Sequence, residues 1–184
     1  MKHGIIIFGP AGSGKTTLGK LTAENLKILF ADIDDYIWRK DTKIPFSIMY
    51  SKEEKIKNLM NVIADTNHFV MAGSMDSFHE YFDSFFSLGV FLTAPAKLRI
   101  ERVNKREYSL FGNRILPGGD MYNAHQKFLK DLSSYDSGNC SPNFETHKKW
   151  ANSLKCPVLN LDGSNKTEDN LKLIIKEYKQ ICGF

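Results

Sequence analysis

Ile5-Ile6-Ile7-Phe8-Gly9-Pro10-Ala11-Gly12-Ser13-Gly14-Lys15-Thr16 decides how the rest of this chain is read. The first four residues are apolar and three of them are β-branched, which reads as a strand buried on both faces, as in a parallel sheet. The next eight match G-x-x-x-x-G-K-[ST] in full. Glycines at these places let the backbone curl so that successive N–H groups point inward. A helix expected over residues 15–25 adds the positive end of its dipole. Such a loop cradles phosphate. Gly9, Gly12, Ser13 and Gly14 shape it, and Lys15 places a fixed charge at the β- and γ-phosphates. Thr16 offers a hydroxyl to Mg²⁺, and Thr17 reaches the α-phosphate.

Outward from the cradle, strand and helix signals alternate. Short apolar runs at 28–31, 69–72, 90–93 and 158–161 read as further strands. Ser51-Lys52-Glu53-Glu54 is a capping box, and Ile56, Leu59, Met60 and Ile63 behind it keep helical spacing. Pro95 opens a helix carrying Leu98, Arg102 and Arg106, and Thr167 is read as the cap of a last helix. This alternation predicts an α/β protein, a parallel sheet with helices on both faces, built as one domain over 1–184. An acceptor-binding subregion is expected at about 33–66. Residues 107–150 are rich in Gly, Asn, Ser, Asp and Tyr, too long for an inert connection, and read as a lid-like insertion.

Composition narrows the function. The chain has 184 residues, 42% hydrophobic and 25% charged, which suits a soluble domain with a buried core. No apolar run approaches the roughly 20 residues of a membrane span. The N-terminal apolar stretch is too short for a signal-peptide core, so neither secretion nor membrane insertion is expected. Cys140, Cys156 and Cys182 form no Cys-x-x-Cys pair, which removes a disulfide framework and a zinc site and leaves a reducing cytoplasm as the expected location. The net charge of +4, without basic tracts interleaved with aromatics, does not point to nucleic acid. A monomer or homodimer is expected.

The arginines are unevenly placed. Only five occur, and four of them, Arg99, Arg102, Arg106 and Arg114, fall in one short stretch. A guanidinium grips phosphate with two parallel hydrogen bonds, so this stretch is expected to face phosphate. Arg102 and Arg106 are four apart on one helix face, and Arg114 lies in a turn-rich run at 111–120 that reads as the tip of the lid. His125 follows with no pattern around it, and a structural role explains it as well as a catalytic one.

Acids gather after the second strand. In open parallel sheets, ligands collect at the carboxyl ends of the strands. Asp32 and Asp34 share one side if that segment stays extended. Asp32 would then hold Mg²⁺ through a water, and Asp34 would engage an acceptor hydroxyl. A helix N-terminus capped by acids explains the same residues. Gly73-Ser74 closes the third strand and either admits a substrate or makes a turn, and Asp76 is a weaker candidate beside it.

With these residues in place, the chain resembles the adenylate-kinase-like superfamily of small P-loop kinases, which includes nucleoside monophosphate, shikimate and gluconate kinases. The resemblance rests on the phosphate loop, on Phe30-Ala31-Asp32-Ile33-Asp34, on residues 98–106 and on Leu161-Asp162-Gly163-Ser164. Residues 111–121 and Cys156-Pro157-Val158-Leu159 look closer still to bacterial proteins described only as ATP-binding or kinase-like. It implies a three-layer P-loop NTPase fold with a five-stranded parallel sheet of order 2-3-1-4-5. It also implies ATP and Mg²⁺ as ligands, Arg102 and Arg106 as lid arginines, and Asp162 and Gly163 beside the adenine. The activity implied is phosphoryl transfer to a small molecule, here to a hydroxyl. Two departures stand out. No arginine occurs between Arg39 and Arg99, and Gly73 is followed by Ser74-Met75-Asp76 rather than an arginine-bearing turn. An acceptor phosphate or carboxylate would therefore fall to Lys40, Lys43 or Lys52, or be absent. The alternatives are a nucleoside monophosphate kinase that uses those lysines and an ATP-binding switch or ATPase.

Overall fold

The computed structural model describes residues 1–183. In chain order it runs β1 (His3–Phe8), α1 (Lys15–Leu26), β2 (Leu29–Asp32), α2 (Asp34–Ile37), α3 (Lys52–Val62) and β3 (His68–Ala72). It continues with β4 (Phe86–Thr93), α4 (Ala96–Phe111), α5 (Tyr122–Ser134), α6 (Phe144–Ser153), β5 (Val158–Asp162) and α7 (Thr167–Cys182). All pairings within the sheet are parallel, and the strand order is β2-β3-β1-β4-β5. The expected sheet is therefore present in its expected order.

The central strand explains the layers. Side chains alternate along a strand, so Ile5 and Ile7 enter one core and Ile6 and Phe8 the other. Ile5 and Ile7 meet Leu18 and Ala23 of α1 and Ile174 and Tyr178 of α7. On the opposite face Ile6 and Phe8 meet Leu59 of α3 and Trp150 of α6. The Tyr178 hydroxyl donates to the His3 carbonyl at 2.6 Å, which fastens α7 to the start of the central strand. The capping box at Ser51 forms as read: the Ser51 hydroxyl accepts from the Glu54 N–H, and the Glu54 carboxylate from the Ser51 N–H. Thr167 is the first helical residue of α7 rather than its cap. Among the described residues, no helix is long and apolar enough to cross a membrane.

The segment read as a lid at 107–150 divides in two. Its first part comprises the end of α4, a 3₁₀ turn at Gly112–Ile115 and α5. Its second part returns to the core: Tyr135, His147 and Trp150 are buried, and Trp150 packs on Phe8 with ring centroids 4.3 Å apart. The polar composition around residue 140 hides this return. Asn143 and Thr146 form a reciprocal capping box, and helix α6 presents Phe144, His147 and Trp150 inward. Arg99 is also interior, with no exposure, so it does not join the phosphate-facing arginines. Its guanidinium donates to the Ala94 carbonyl at 2.8 Å, to the Leu132 carbonyl and to Asp136.

Candidate functional site

The cradle sits between β1 and α1 at the carboxyl end of the sheet. A Cβ on Gly9 would stand 2.2 Å from the Leu92 carbonyl oxygen, and one on Gly12 would stand 2.5 Å from that of Arg99. These two glycines let the loop nest against β4 and the start of α4. Gly14 differs. It adopts φ +104° where a Cβ would meet nothing closer than 3.9 Å, so it is the left-handed backbone rather than crowding that favours glycine there. The N–H groups of Lys15, Thr16 and Thr17 are first-turn donors that a helix cannot satisfy itself. The Ser13 hydroxyl is buried without a hydrogen-bond partner. Orphan donors and a lysine together fit a polyphosphate.

Lys15 donates from Nζ to the Pro10 carbonyl at 2.8 Å. Burial pulls its pKa down to about 8, against the opposing pull of Asp34; Arg106 lowers it further, and Asp32 and Asp76 raise it. The charges that act on the ammonium are thus three carboxylates and one guanidinium. Thr16 Oγ1 donates to Asp32 Oδ2 at 2.9 Å. Asp32 is held above the usual carboxylate range by burial and by Asp34, with the Thr16 bond acting in the opposite direction. A hydroxyl and a carboxylate are hard oxygen donors, and two such groups suit Mg²⁺, which keeps most of its water.

Asp32 and Asp34 come together, but not by strand alternation. β2 stops at Asp32, Ile33 is already helical in conformation, and Asp34 opens α2. The Asp34 N–H donates to Asp32 Oδ1 at 3.2 Å, so the pair is closed by a turn. The Asp34 carboxylate is exposed. Gly73 lies beneath this turn, where a Cβ would be 2.6 Å from Ile33 Cβ. The close approach that Gly73 permits is thus to Ile33, and it is buried rather than open to a substrate. Ser74 remains on the rim, bonded to Asp76 and to His147 Nε2.

The arginines separate by task. Arg102 reaches the outer side of the cradle: Nη1 lies 3.4 Å from the carbonyls of Gly12 and Ser13, and Nη2 lies 3.0 Å from that of Gly163. It clamps the loop to the turn after β5, where the Gly163 N–H also donates to the Thr93 carbonyl at 2.6 Å. The Asp162 carboxylate is turned to the Ser164 N–H at 2.7 Å. Arg106, one helical turn on from Arg102, is exposed and acts on Lys15 electrostatically. Arg114 grips Asp120 with two bonds of 2.9 Å and donates to the Lys43 carbonyl at 3.2 Å, so it joins the first part of the insertion to the acceptor side. His125 is buried and bonded to Glu107 and Asn104, at 2.5 and 3.0 Å, and fastens α5 to α4 away from the cradle. Nothing in the local sequence marks His147 or Tyr135, yet His147 stands directly behind Ser74 and Tyr135 behind His147.

Nucleotide binding should depend on pH through Lys15. In the free protein the ammonium titrates near 8. Phosphate oxygens favour the charged form, so bound Lys15 titrates higher. Above pH 8, binding must therefore take up a proton, and affinity falls by up to about tenfold per pH unit. Calorimetry of Mg–ATP binding at pH 8.5 in buffers of different ionisation heat should show proton uptake.

The family model described as an AAA domain matches residues 5–114, and the chain belongs to that family. The uncharacterized protein YqaC of Bacillus subtilis (strain 168) is 29% identical over 180 residues, covering 95% of this chain and 97% of its own. The shikimate kinase of Bacteroides thetaiotaomicron superposes with a TM-score of 0.57 at 17% identity, covering 98% of both chains. A gluconokinase of Sinorhizobium meliloti 1021 superposes with a TM-score of 0.54 at 14% identity, covering 97% of this chain and 92% of its own. The fold is thus that of the small P-loop kinases.

Proposed function

We propose that the protein transfers the γ-phosphoryl group of ATP to a hydroxyl of a small-molecule acceptor. The observation that carries this reading is the gathering of Lys15, the Thr16–Asp32 pair, Asp34 and Arg106 at one rim of the sheet. Bound Mg–ATP supplies the phosphoryl group and the ADP leaving group. Lys15 and the loop N–H groups hold the β- and γ-phosphates, and Thr16 with Asp32 holds the metal. Asp34 orients the acceptor and receives its proton as the new O–P bond forms and the β–γ bridge breaks. Arg106 neutralises charge on the moving group, and Arg102 keeps the cradle in shape. Arg114 serves from the insertion, Ser74 from the acceptor side, and Asp162 and Gly163 border the base. The half-buried cysteines are all free, which suits a reducing cytoplasm.

The test is ADP release from Mg–ATP with pooled small hydroxyl compounds. At least about tenfold stimulation over the acceptor-free rate is expected. Tight ATP binding with an unchanged rate for every pool would instead favour a nucleotide-dependent switch.

A further inference from the structure

We infer that the acceptor is a neutral or cationic hydroxyl compound that offers hydrogen-bond donors to both Asp34 and Asp76, rather than a phosphate or carboxylate. This deepens the phosphotransfer reading and rests on it. Two sets of observations lead there.

The first is a buried chain that aims Asp76. The Ser74 hydroxyl donates to Asp76 Oδ2. A hydroxyl carries one proton, so Ser74 Oγ can only accept from its other neighbour, His147 Nε2 at 2.9 Å. That nitrogen therefore bears the ring proton. His147 Nδ1 is then the acceptor, and the Tyr135 hydroxyl at 2.7 Å donates to it. His147 has no exposure, and burial holds its pKa down to about 4, so the ring stays neutral at physiological pH. Every donor in this chain runs toward Asp76, whose Oδ1 lies 3.4 Å from the same Nε2. The direction of these bonds also removes a serine-nucleophile reading. The serine gives its proton to Asp76 rather than to the imidazole, and the far ring nitrogen meets a tyrosine rather than a carboxylate. Asp32 and Ala72 pair at the ends of β2 and β3, so the segments that carry Asp34 and Asp76 leave the same rim, and both charges act on Lys15.

The second set concerns the bases that could hold an anion. Lys15 and Arg106 stand on the phosphate side. Within the acceptor subregion, Arg39 is paired with Asp41 at 2.6 Å, Lys40 with Asp35 at 3.1 Å and Lys52 with Glu80 at 3.0 Å. Lys52 also lies over the Tyr81 ring. The Lys55 ammonium rests on the Met49 sulfur at 3.1 Å, its pKa lowered by burial. Lys43 stands beside Asp120, and Lys57 is exposed on α3. None of these is shown turned to the Asp34–Asp76 rim. An anionic acceptor would bring its charge against two carboxylates, whereas hydroxyl or ammonium donors would satisfy them.

The test measures ADP release by the full chain at saturating Mg–ATP with four acceptor sets. These are neutral sugars and polyols, amino sugars and aminoglycosides, sugar acids with shikimate, and nucleoside monophosphates. The highest kcat/KM is expected in one of the first two sets, at least about tenfold above the last two. Asp76→Asn should raise KM for that acceptor about tenfold while KM for ATP does not rise, since the change removes a negative charge that acts on Lys15. His147→Leu should do the same, and His147→Gln, which keeps an N–H for Ser74, should recover most of the loss. Should the His147 variants fail to fold, half-exposed Asp76 decides the matter alone. Stimulation confined to phosphate or carboxylate acceptors overturns this inference and leaves phosphotransfer standing, as does an unchanged KM in Asp76→Asn. Bound Mg–ATP with no stimulation by any set overturns the phosphotransfer reading and this inference together.

Discussion

Lys15→Ala is expected to lower acceptor-stimulated ADP release by about 10²–10³-fold, the scale seen when one fixed donor to developing charge is removed. The cause is local. Lys15 is the one side-chain cation inside the cradle, half-buried and flanked by Asp32, Asp34 and Asp76. Without it, incoming phosphates meet three carboxylates with only the loop N–H groups and Arg106 in opposition. Lys15→Arg should not rescue, because a planar fork does not fit a space shaped for a point charge. Stability gives an independent check with a definite sign. The folded-state pKa of Lys15 is depressed, so its charged form costs stability below about pH 8, and that cost is relieved as pH rises toward the unfolded value of 10.5. The unliganded alanine variant should therefore melt no lower than the parent at pH 7. A variant that lost activity through misfolding would melt lower, and circular dichroism separates the two.

Asp136→Ala should give the largest loss of stability. Arg99 has a fully buried side chain, and its guanidinium meets Asp136, the Ala94 and Leu132 carbonyls and the Tyr135 ring at 5.0 Å. Removing the carboxylate leaves a buried cation with carbonyls and a ring alone. Breaking such a pair costs about 3–5 kcal/mol, and the half-exposed position of Asp136 places this case at about 3 kcal/mol. For a chain of this size that lowers Tm by about 6–12 °C. The double variant Arg99→Met, Asp136→Ala removes both charges and should recover part of the loss, because methionine fills irregular space without needing partners. Equal melting of parent and Asp136→Ala would show that water replaces the carboxylate. The expected loss would also reach the site, since Tyr135 next in sequence opens the chain of bonds to Ser74.

Much of the architecture is legible in the sequence, because strands, helices and the cradle are set by near neighbours. Four apolar residues before a glycine loop require a strand that ends at a helix N-terminus. The capping box at Ser51 requires only three residues to agree. The Thr16–Asp32 pair is also legible, once the start of α1 and the end of β2 are placed at the same carboxyl end of the sheet. The misreadings have a common origin. Arg99 looks like Arg102 and Arg106 in a helix of mixed charge, since helical spacing alone does not say which face is covered. The polar run near residue 140 looks like the loose part of a lid. Nothing local announces that its flanks carry Tyr135 and Trp150 into the core.

The sequence by itself determined the strand–cradle–helix unit, the parallel sheet and the acids after β2, because each depends on spacing within a few residues. Only the tertiary structure decided which arginine is core and which clamps the cradle. It alone joined Ser74 to His147 across 73 positions and Arg99 to Asp136 across 37. Such bonds form when packing brings distant elements together and buried polar groups must find partners there, a demand that no local pattern encodes.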